Sequence, residues 1–294
     1  MSEYLYLFLY RSFTFLIDIL PPSWLDKSID LLARFAYFAS AKRRHIIHAN
    51  LRLCFPKMPE NEMKTIGIHS YKNLLYNIAS LVDKNKTSLL ERVTFEGREV
   101  VDNAIKEGKN IIFITAHFGM WEVLSSAIAL GFKKPFSVVG RELDSPLMQK
   151  ELKIGREKIG VGLINKRGAL KGMIKVLNKK EMLGLLIDQS LPASASVDVT
   201  FFGKKVTQTP SASILAHKFD ALIIPIFITS KDFKHHTVTC HTPIMIDKTL
   251  PKEEDLKRLN QAQANIIETE IKKYPTEWFW SHKKFKVYNR EIYA

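Results

Sequence analysis

Cysteine is nearly absent from this chain. Its 294 residues hold two, Cys54 and Cys240, far apart and with no Cys-x-x-Cys pair. That excludes a disulfide framework and favours a reducing compartment. Glycine-rich phosphate loops are also missing. No G-x-x-x-x-G-K-[ST] run occurs, and Gly160-Val-Gly162 lacks a third glycine at the dinucleotide spacing, so nothing supports a nucleotide, nicotinamide or flavin cofactor. No G-x-S-x-G elbow, repeat or low-complexity tract is present. His235 and His236 are adjacent, which on a strand sends them to opposite faces, so with His241 they make no convincing metal site. The expectation is a protein that works without metal or cofactor.

Acidic residues are scarce as well. Asp and Glu number 30 against 44 Lys and Arg, a formal net charge of +14. Such a balance points to an anionic partner: nucleic acid, an acidic protein or an anionic membrane. Residues 133–180 concentrate it, with thirteen Lys or Arg and four Asp or Glu. A merely solvated face is the plainer explanation of such a run. No nucleic-acid-binding motif accompanies the charge, so no nucleic-acid partner is expected.

What the chain does have begins at its amino end. Residues 4–20 read YLYLFLYRSFTFLIDIL, with only Arg11 and Asp18 charged. Seventeen such residues stand at the lower limit of about 17–25 for a membrane span. Arg11, Thr14 and Asp18 share one helical face. A tilted span and an interfacial helix both remain open, with the span favoured, and a buried core helix is the third reading. The segment lacks the basic start and small-residue site of a cleaved signal. Lys27, Arg34, Lys42, Arg43 and Arg44 follow it, which by the positive-inside rule places the body in the cytoplasm. Residues 1–22 are thus expected to be a membrane-anchoring helix, and 23–294 an α/β domain with a helical lead-in at 23–90.

Within that lead-in, helices are expected over 24–50 and 60–80. Beyond it the pattern changes. Short apolar runs at 110–115, 136–139, 183–187 and 222–228 alternate with helical stretches near 121–131, 145–159, 168–180 and 209–219. Strands separated by helices of this length predict a mostly parallel central sheet flanked by helices. Further strands are expected at 197–202 and 237–246, and a late helix at 253–273.

The stretch NIIFITAHFGMWEVL, residues 110–124, carries the chemistry. His117 follows a buried strand, and open α/β sheets bind ligands beyond the carboxyl ends of their strands. Its imidazole suits general-base work near neutral pH. Glu122 is the nearest carboxylate in sequence that could orient it. Five residues apart in a regular helix, the two would point about 140° away from each other. They meet only if His117 sits in the turn and Glu122 in the first helical turn, a bend that Gly119 permits. A structural histidine is the alternative.

AHFGMWE resembles the H-x4-[D/E] motif of the glycerolipid acyltransferase superfamily, and more closely the lipid A late acyltransferases, the lauroyl and myristoyl transferases of Gram-negative bacteria. Other blocks agree in order: Arg44, Asn50-Leu51 and Cys54-Phe55-Pro56; Gly140 to Leu147 with Arg141; Leu186-Ile187-Asp188-Gln189; Phe201-Phe202-Gly203 with Thr209-Pro210; Ile224-Pro225-Ile226; and the closing run Glu277 to Lys286. The resemblance covers residues 40–290. Its one departure is Lys283-Lys284, where at least one arginine is expected, which weakens a headgroup role there.

The resemblance implies an acyl donor on acyl carrier protein and a lipid A precursor as acceptor, modified on a hydroxyl of an acyl chain already present, at the cytoplasmic face of the inner membrane. A lysophospholipid or a glycosylated phosphoinositol is the alternative acceptor. It implies His117 as the base and Glu122 as the group that orients it, Arg141 as a binder of acceptor phosphate or oxyanion, and Gly119, Asp188 and Gln189 as supports of the site. Phe201 and Phe202 are expected in the core or an acyl groove, and Trp278 and Trp280 in the core or at the membrane interface.

Overall fold

A computed structural model describes residues 11–12, 14–15, 19–82, 86–141 and 145–294. Most of the apolar run 4–20, with Asp18, lies outside the described residues, as do positions 142–144 of the second block. From Pro22 the chain runs through the helices α1 (Pro22–Ala39), α2 (Ala41–Cys54) and α3 (Glu60–Val82). The single helix expected over 24–50 is two, because the backbone leaves the helical region at Ser40 (φ −106°, ψ 81°).

The α/β part follows as β1 (Val93–Glu96), α4 (Arg98–Lys106), β2 (Ile111–Thr115), α5 (Trp121–Phe132), β3 (Phe136–Gly140), α6 (Pro146–Glu157), β4 (Val161–Asn165), α7 (Ala169–Asn178) and β5 (Met182–Leu186). After it come β6 (Val197–Phe201), β7 (Lys204–Gln208), α8 (Ser211–Phe219), β8 (Leu222–Ser230), β9 (His236–Cys240) and α9 (Lys252–Lys273). Three strands escape the sequence reading. β1 is short, β4, VGLIN, has a glycine in place of an apolar residue and so shows no continuous run, and β7, KKVTQ, is mostly polar.

Seven strands form one sheet in the order β1-β9-β8-β2-β5-β3-β4. Every neighbouring pair is parallel except β8 with β9. The expected α/β architecture with a mostly parallel sheet is therefore present. β6 and β7 stand apart as an antiparallel pair. Central strands such as β2 are apolar at successive positions because helices cover both of their faces. Residues from α4 and α5, among them Val101, Ala104, Leu124 and Ile128, build one core layer. Met173 and Leu177 of α7, Leu215 of α8 and Ile267 of α9 build the other. α6 lies beside α5, its Arg156 paired with Glu122 at 2.9 Å. β2 and β5 are neighbours, yet the chain leaves them toward opposite faces. That divergence opens a crevice above their carboxyl ends, where such sheets bind ligands.

Helix α1 has two apolar sides. Ile29, Ala33 and Tyr37 are buried where α1 packs on α3, which in turn touches α5 and α6. On the other side Trp24, Leu31 and Phe35 stay 67%, 69% and 69% exposed, with Leu32 and Phe38 beside them. Just upstream, Arg11 pairs with Glu151 of α6 at 3.3 Å. Thr14 is buried, while Phe15 and Ile19 are exposed. Among the described residues no helix is long and apolar enough to cross a membrane.

Candidate active site

His117 and Asp188 each lie two residues beyond a registered pair, Thr115 of β2 and Leu186 of β5. Neighbouring strands thus deliver them to the same height above the sheet. His117 Nδ1 donates to Asp188 Oδ1 at 2.8 Å. The His117 backbone N–H donates to Asp188 Oδ2 at 3.1 Å, and the Trp278 indole N–H reaches that same oxygen at 3.0 Å. Asp188 is 4% exposed and the His117 ring 21%. Burial pushes the Asp188 carboxyl upward, but the imidazole and the converging N–H donors outweigh it and hold the group well below the usual carboxylate range. Burial alone would lower the His117 pKa; the Asp188 carboxylate overrides it and raises the imidazole above its ordinary value, and Glu122 adds to the push from a distance.

The carboxylate hydrogen-bonded to the His117 ring is therefore Asp188, where the sequence reading expected Glu122. The local geometry needed for a His117–Glu122 contact does exist: His117 is in the turn and Glu122 is the second residue of α5. Asp188 nonetheless occupies Nδ1, and Glu122 accepts from Arg156 of α6 at 2.9 Å instead. With Nδ1 protonated, Nε2 carries the lone pair. Gln189 Nε2 donates to it across 3.4 Å.

Gly119 makes the turn possible. Its φ is +54°, and a Cβ there would meet the Ile228 carbonyl oxygen at 2.0 Å. Its N–H donates to the Glu277 carbonyl (2.9 Å) and its own carbonyl accepts from Asn77 (2.8 Å). Asn77 Oδ1 also accepts the Glu122 N–H at 2.9 Å, satisfying one of the open donors at the start of α5.

The closing segment forms the back wall. Phe279 N donates to the His117 carbonyl at 2.9 Å. His282 Nε2 accepts from the Ser190 N–H at 3.0 Å; burial lowers its pKa to about 4, which keeps it neutral for that task. Lys284 is 2% exposed and donates to the Thr207 carbonyl at 3.1 Å. Burial lowers its pKa to about 8, with the Asp188 charge opposing. Lys284 faces inward, so it is no headgroup ligand. Trp278 and Trp280 are buried, which settles their placement in the core, with Trp278 also hydrogen-bonded to the site. Phe201 is likewise in the core, its ring 5.8 Å from that of Trp278. The sequence reading missed Trp278, His282, Arg156 and Lys166 as parts of the site. The closing block signalled the first two only as a pattern.

In front of His117 Nε2 lies a cleft of about 490 Å³. Trp121, Val138, Leu163, Met173 and Leu185 give it apolar walls, and Arg141, Arg156 and Lys166 put cations in its lining. A small apolar extension between α5 and the sheet, with Phe113, Ile128 and Phe136 in its walls, shares Trp121, Val138 and Leu185 with it. The site thus joins a polarised imidazole, a hydrocarbon-compatible floor and a cationic rim.

The model of the bacterial lipid A biosynthesis acyltransferase family matches residues 1–287. The chain belongs to this family. A lipid A biosynthesis acyltransferase of Haemophilus influenzae is 24% identical over 272 residues, 91% of this chain and 83% of that protein. The lipid A biosynthesis lauroyltransferase of Escherichia coli K12 is 24% identical, over 87% of this chain and 83% of the relative. The myristoyltransferase of the same organism is 23% identical, over 92% and 83%. Among solved structures, the 1-acyl-sn-glycerophosphate acyltransferase of Thermotoga maritima aligns with 83% of this chain and 97% of its own, at 16% identity and a TM-score of 0.38. As a family member the chain is an acyltransferase of lipid A biosynthesis.

Proposed function

We propose that the chain moves a fatty acyl group from a thioester on acyl carrier protein to a hydroxyl of a lipid A precursor at the cytoplasmic face of the inner membrane. The observation that carries this reading is the His117–Asp188 pair opening into a cleft with apolar walls and a cationic rim. The acceptor O–H gives its proton to His117 Nε2 as its oxygen attacks the thioester carbonyl. The carbon–oxygen bond forms and the carbon–sulfur bond breaks. The imidazolium then returns the proton to the departing thiolate. Asp188 holds the ring in the tautomer that presents Nε2 and stabilises the imidazolium, the division of labour of a base and its orienting carboxylate. Arg141, Arg156 and Lys166 favour an anionic acceptor. The apolar walls of the cleft, Trp121, Val138, Leu163, Met173 and Leu185, line the acyl tail. The exposed stripe of α1, with the 4–20 run upstream of it, seats the protein on the membrane.

The test is acyl transfer by purified protein from carrier-linked thioesters to a lipid A precursor and, separately, to a lysophospholipid. Transfer to the first and not the second is expected; the reverse preference overturns the acceptor. General-base catalysis is worth about 10²–10⁴-fold. His117→Ala should lose that much, Asp188→Asn a comparable factor, and the double variant little more than His117→Ala, because the two act as a unit. A double variant that loses the product of both factors sinks the pairing.

A further inference from the structure

Helix α7 presents a row of cations. Lys171 and Lys175 in the helix and Lys179 at its carboxyl cap follow at intervals of four, Arg167 stands in the turn just before the helix, and all four are exposed. This spacing puts the three lysines along one side of the helix, while Met173, Val176 and Leu177 bury the other side in the core. Among the described residues the only carboxylate within ion-pair distance of the row is Glu181, 3.8 Å from Lys179. Beside the row runs an open groove of about 460 Å³, lined by Arg167, Lys175, Lys179 and the glycines 168 and 172. The helix begins at the mouth of the catalytic cleft, where Lys166, Ala169 and Met173 are lining residues. Ten residues of helix extend about 15 Å, so the whole row lies within a short reach of the cleft.

We propose that this face of α7 docks the acidic protein that carries the acyl thioester. The proposal rests on the carrier-linked donor of the preceding reading and names its surface. Charge complementarity selects the occupant. A bilayer is seated by apolar and aromatic side chains at its interface, and those are on α1: Trp24, Leu31, Leu32, Phe35 and Phe38. α7 exposes a single large apolar residue, Leu170, and lies across the sheet from α5 and α6, on which the α1–α3 pair rests. Cations without hydrophobic anchors, at the entrance to the site and away from the lipid-facing helix, fit an acidic protein surface. Exposed charges of this kind act mainly on encounter and orientation.

The experiment compares wild type with Lys171→Glu/Lys175→Glu/Lys179→Glu, using a carrier-linked acyl thioester and the same acyl group on pantetheine, with the acceptor in detergent. For the carrier-linked donor, KM should rise about tenfold or more with kcat within about twofold, and transfer from acyl-pantetheine should not change. Raising salt should raise the wild-type KM for the carrier and leave that of the variant flat. The lysine-to-glutamine triple should give a smaller rise in the same direction, and it serves if the reversed variant does not fold. If wild type favours the carrier-linked donor and neither triple moves its KM, the surface assignment falls while the donor reading stands. Equal use of both donors by wild type overturns the donor reading and this proposal with it. A change confined to acceptor KM or vesicle binding makes α7 a lipid contact and overturns the proposal.

Discussion

In the proposed reaction His117 is the base, and the buried Asp188 beside it governs its proton affinity. The Asp188 charge raises it above the ordinary histidine value of about 6.5. A protonated imidazole cannot accept the acceptor's proton, so activity falls as pH drops through this raised value. The acid limb of kcat/KM should therefore lie above pH 6.5. Asp188→Asn removes the charge that raises it, so the limb should move to lower pH while the plateau drops. Measuring kcat/KM from pH 5 to 9 for both proteins decides the matter; a limb that stays in place in Asp188→Asn would mean that another group titrates. Glu122 should show its coupling elsewhere. In a double-mutant cycle Glu122→Gln should couple to Arg156→Gln, its ion-pair partner, and a cycle with no interaction energy would remove the pair from the account.

The turn from β2 into α5 tolerates no side chain at Gly119. Alanine there would combine a positive φ with a Cβ 2.0 Å from the Ile228 carbonyl oxygen. A φ-incompatible Gly→Ala change costs more than about 1 kcal/mol before any clash is added. Gly119→Ala should therefore lower the melting temperature and disturb His117 together; an unchanged melting curve would show that the turn relaxes freely. Helix α1 makes the opposite demand, since its outer face needs something apolar to cover it. Burying one large apolar side chain is worth about 1.5–3 kcal/mol. Leu31→Asp/Phe35→Asp should weaken binding to anionic vesicles by about tenfold or more per site, while folding is retained because neither residue is in the core. Unchanged flotation with vesicles would assign the stripe to some other surface.

Hydrogen bonds tie the helical lead-in to the closing segment. Asn50 on α2 donates to the carbonyls of Trp280 and His282, each at 2.8 Å. Asn73 on α3 donates to that of Thr276 at 3.2 Å. The closing segment, pinned in this way by the helical lead-in, presents Trp278 to Asp188 and His282 to Ser190. Asn50→Ala leaves two carbonyls without their donor, at a cost of about 1–3 kcal/mol for each one that stays buried and unpaired. It should lower stability and activity together although residue 50 touches no substrate. Thermal melting and kcat on the same preparation check this; loss of activity at unchanged stability would imply a direct role in the reaction.

Much of this was legible in the residues alone. Alternating apolar runs and helical patterns gave the parallel α/β sheet, because buried strands need apolar residues on both faces. His117 past a strand end, and the glycine two positions on, marked the site for local reasons: strand termini meet solvent, and only glycine accepts the bend. Asp188 was recognised as part of the site but not as the partner of His117. Nothing within 70 residues of chain says that β5 lies beside β2 while β3 and β4 are placed outside it. The sequence offered Glu122 because it was near in number, and the sheet order supplied Asp188 because it was near in space. The fates of Lys284, Trp278 and Trp280 were decided in the same way. Their chemistry allowed surface or core, and only the path of the closing segment beneath Asp188 made them interior. Local physics determines elements and turns; which side chains share a low-dielectric site depends on long-range strand order, which no single stretch encodes.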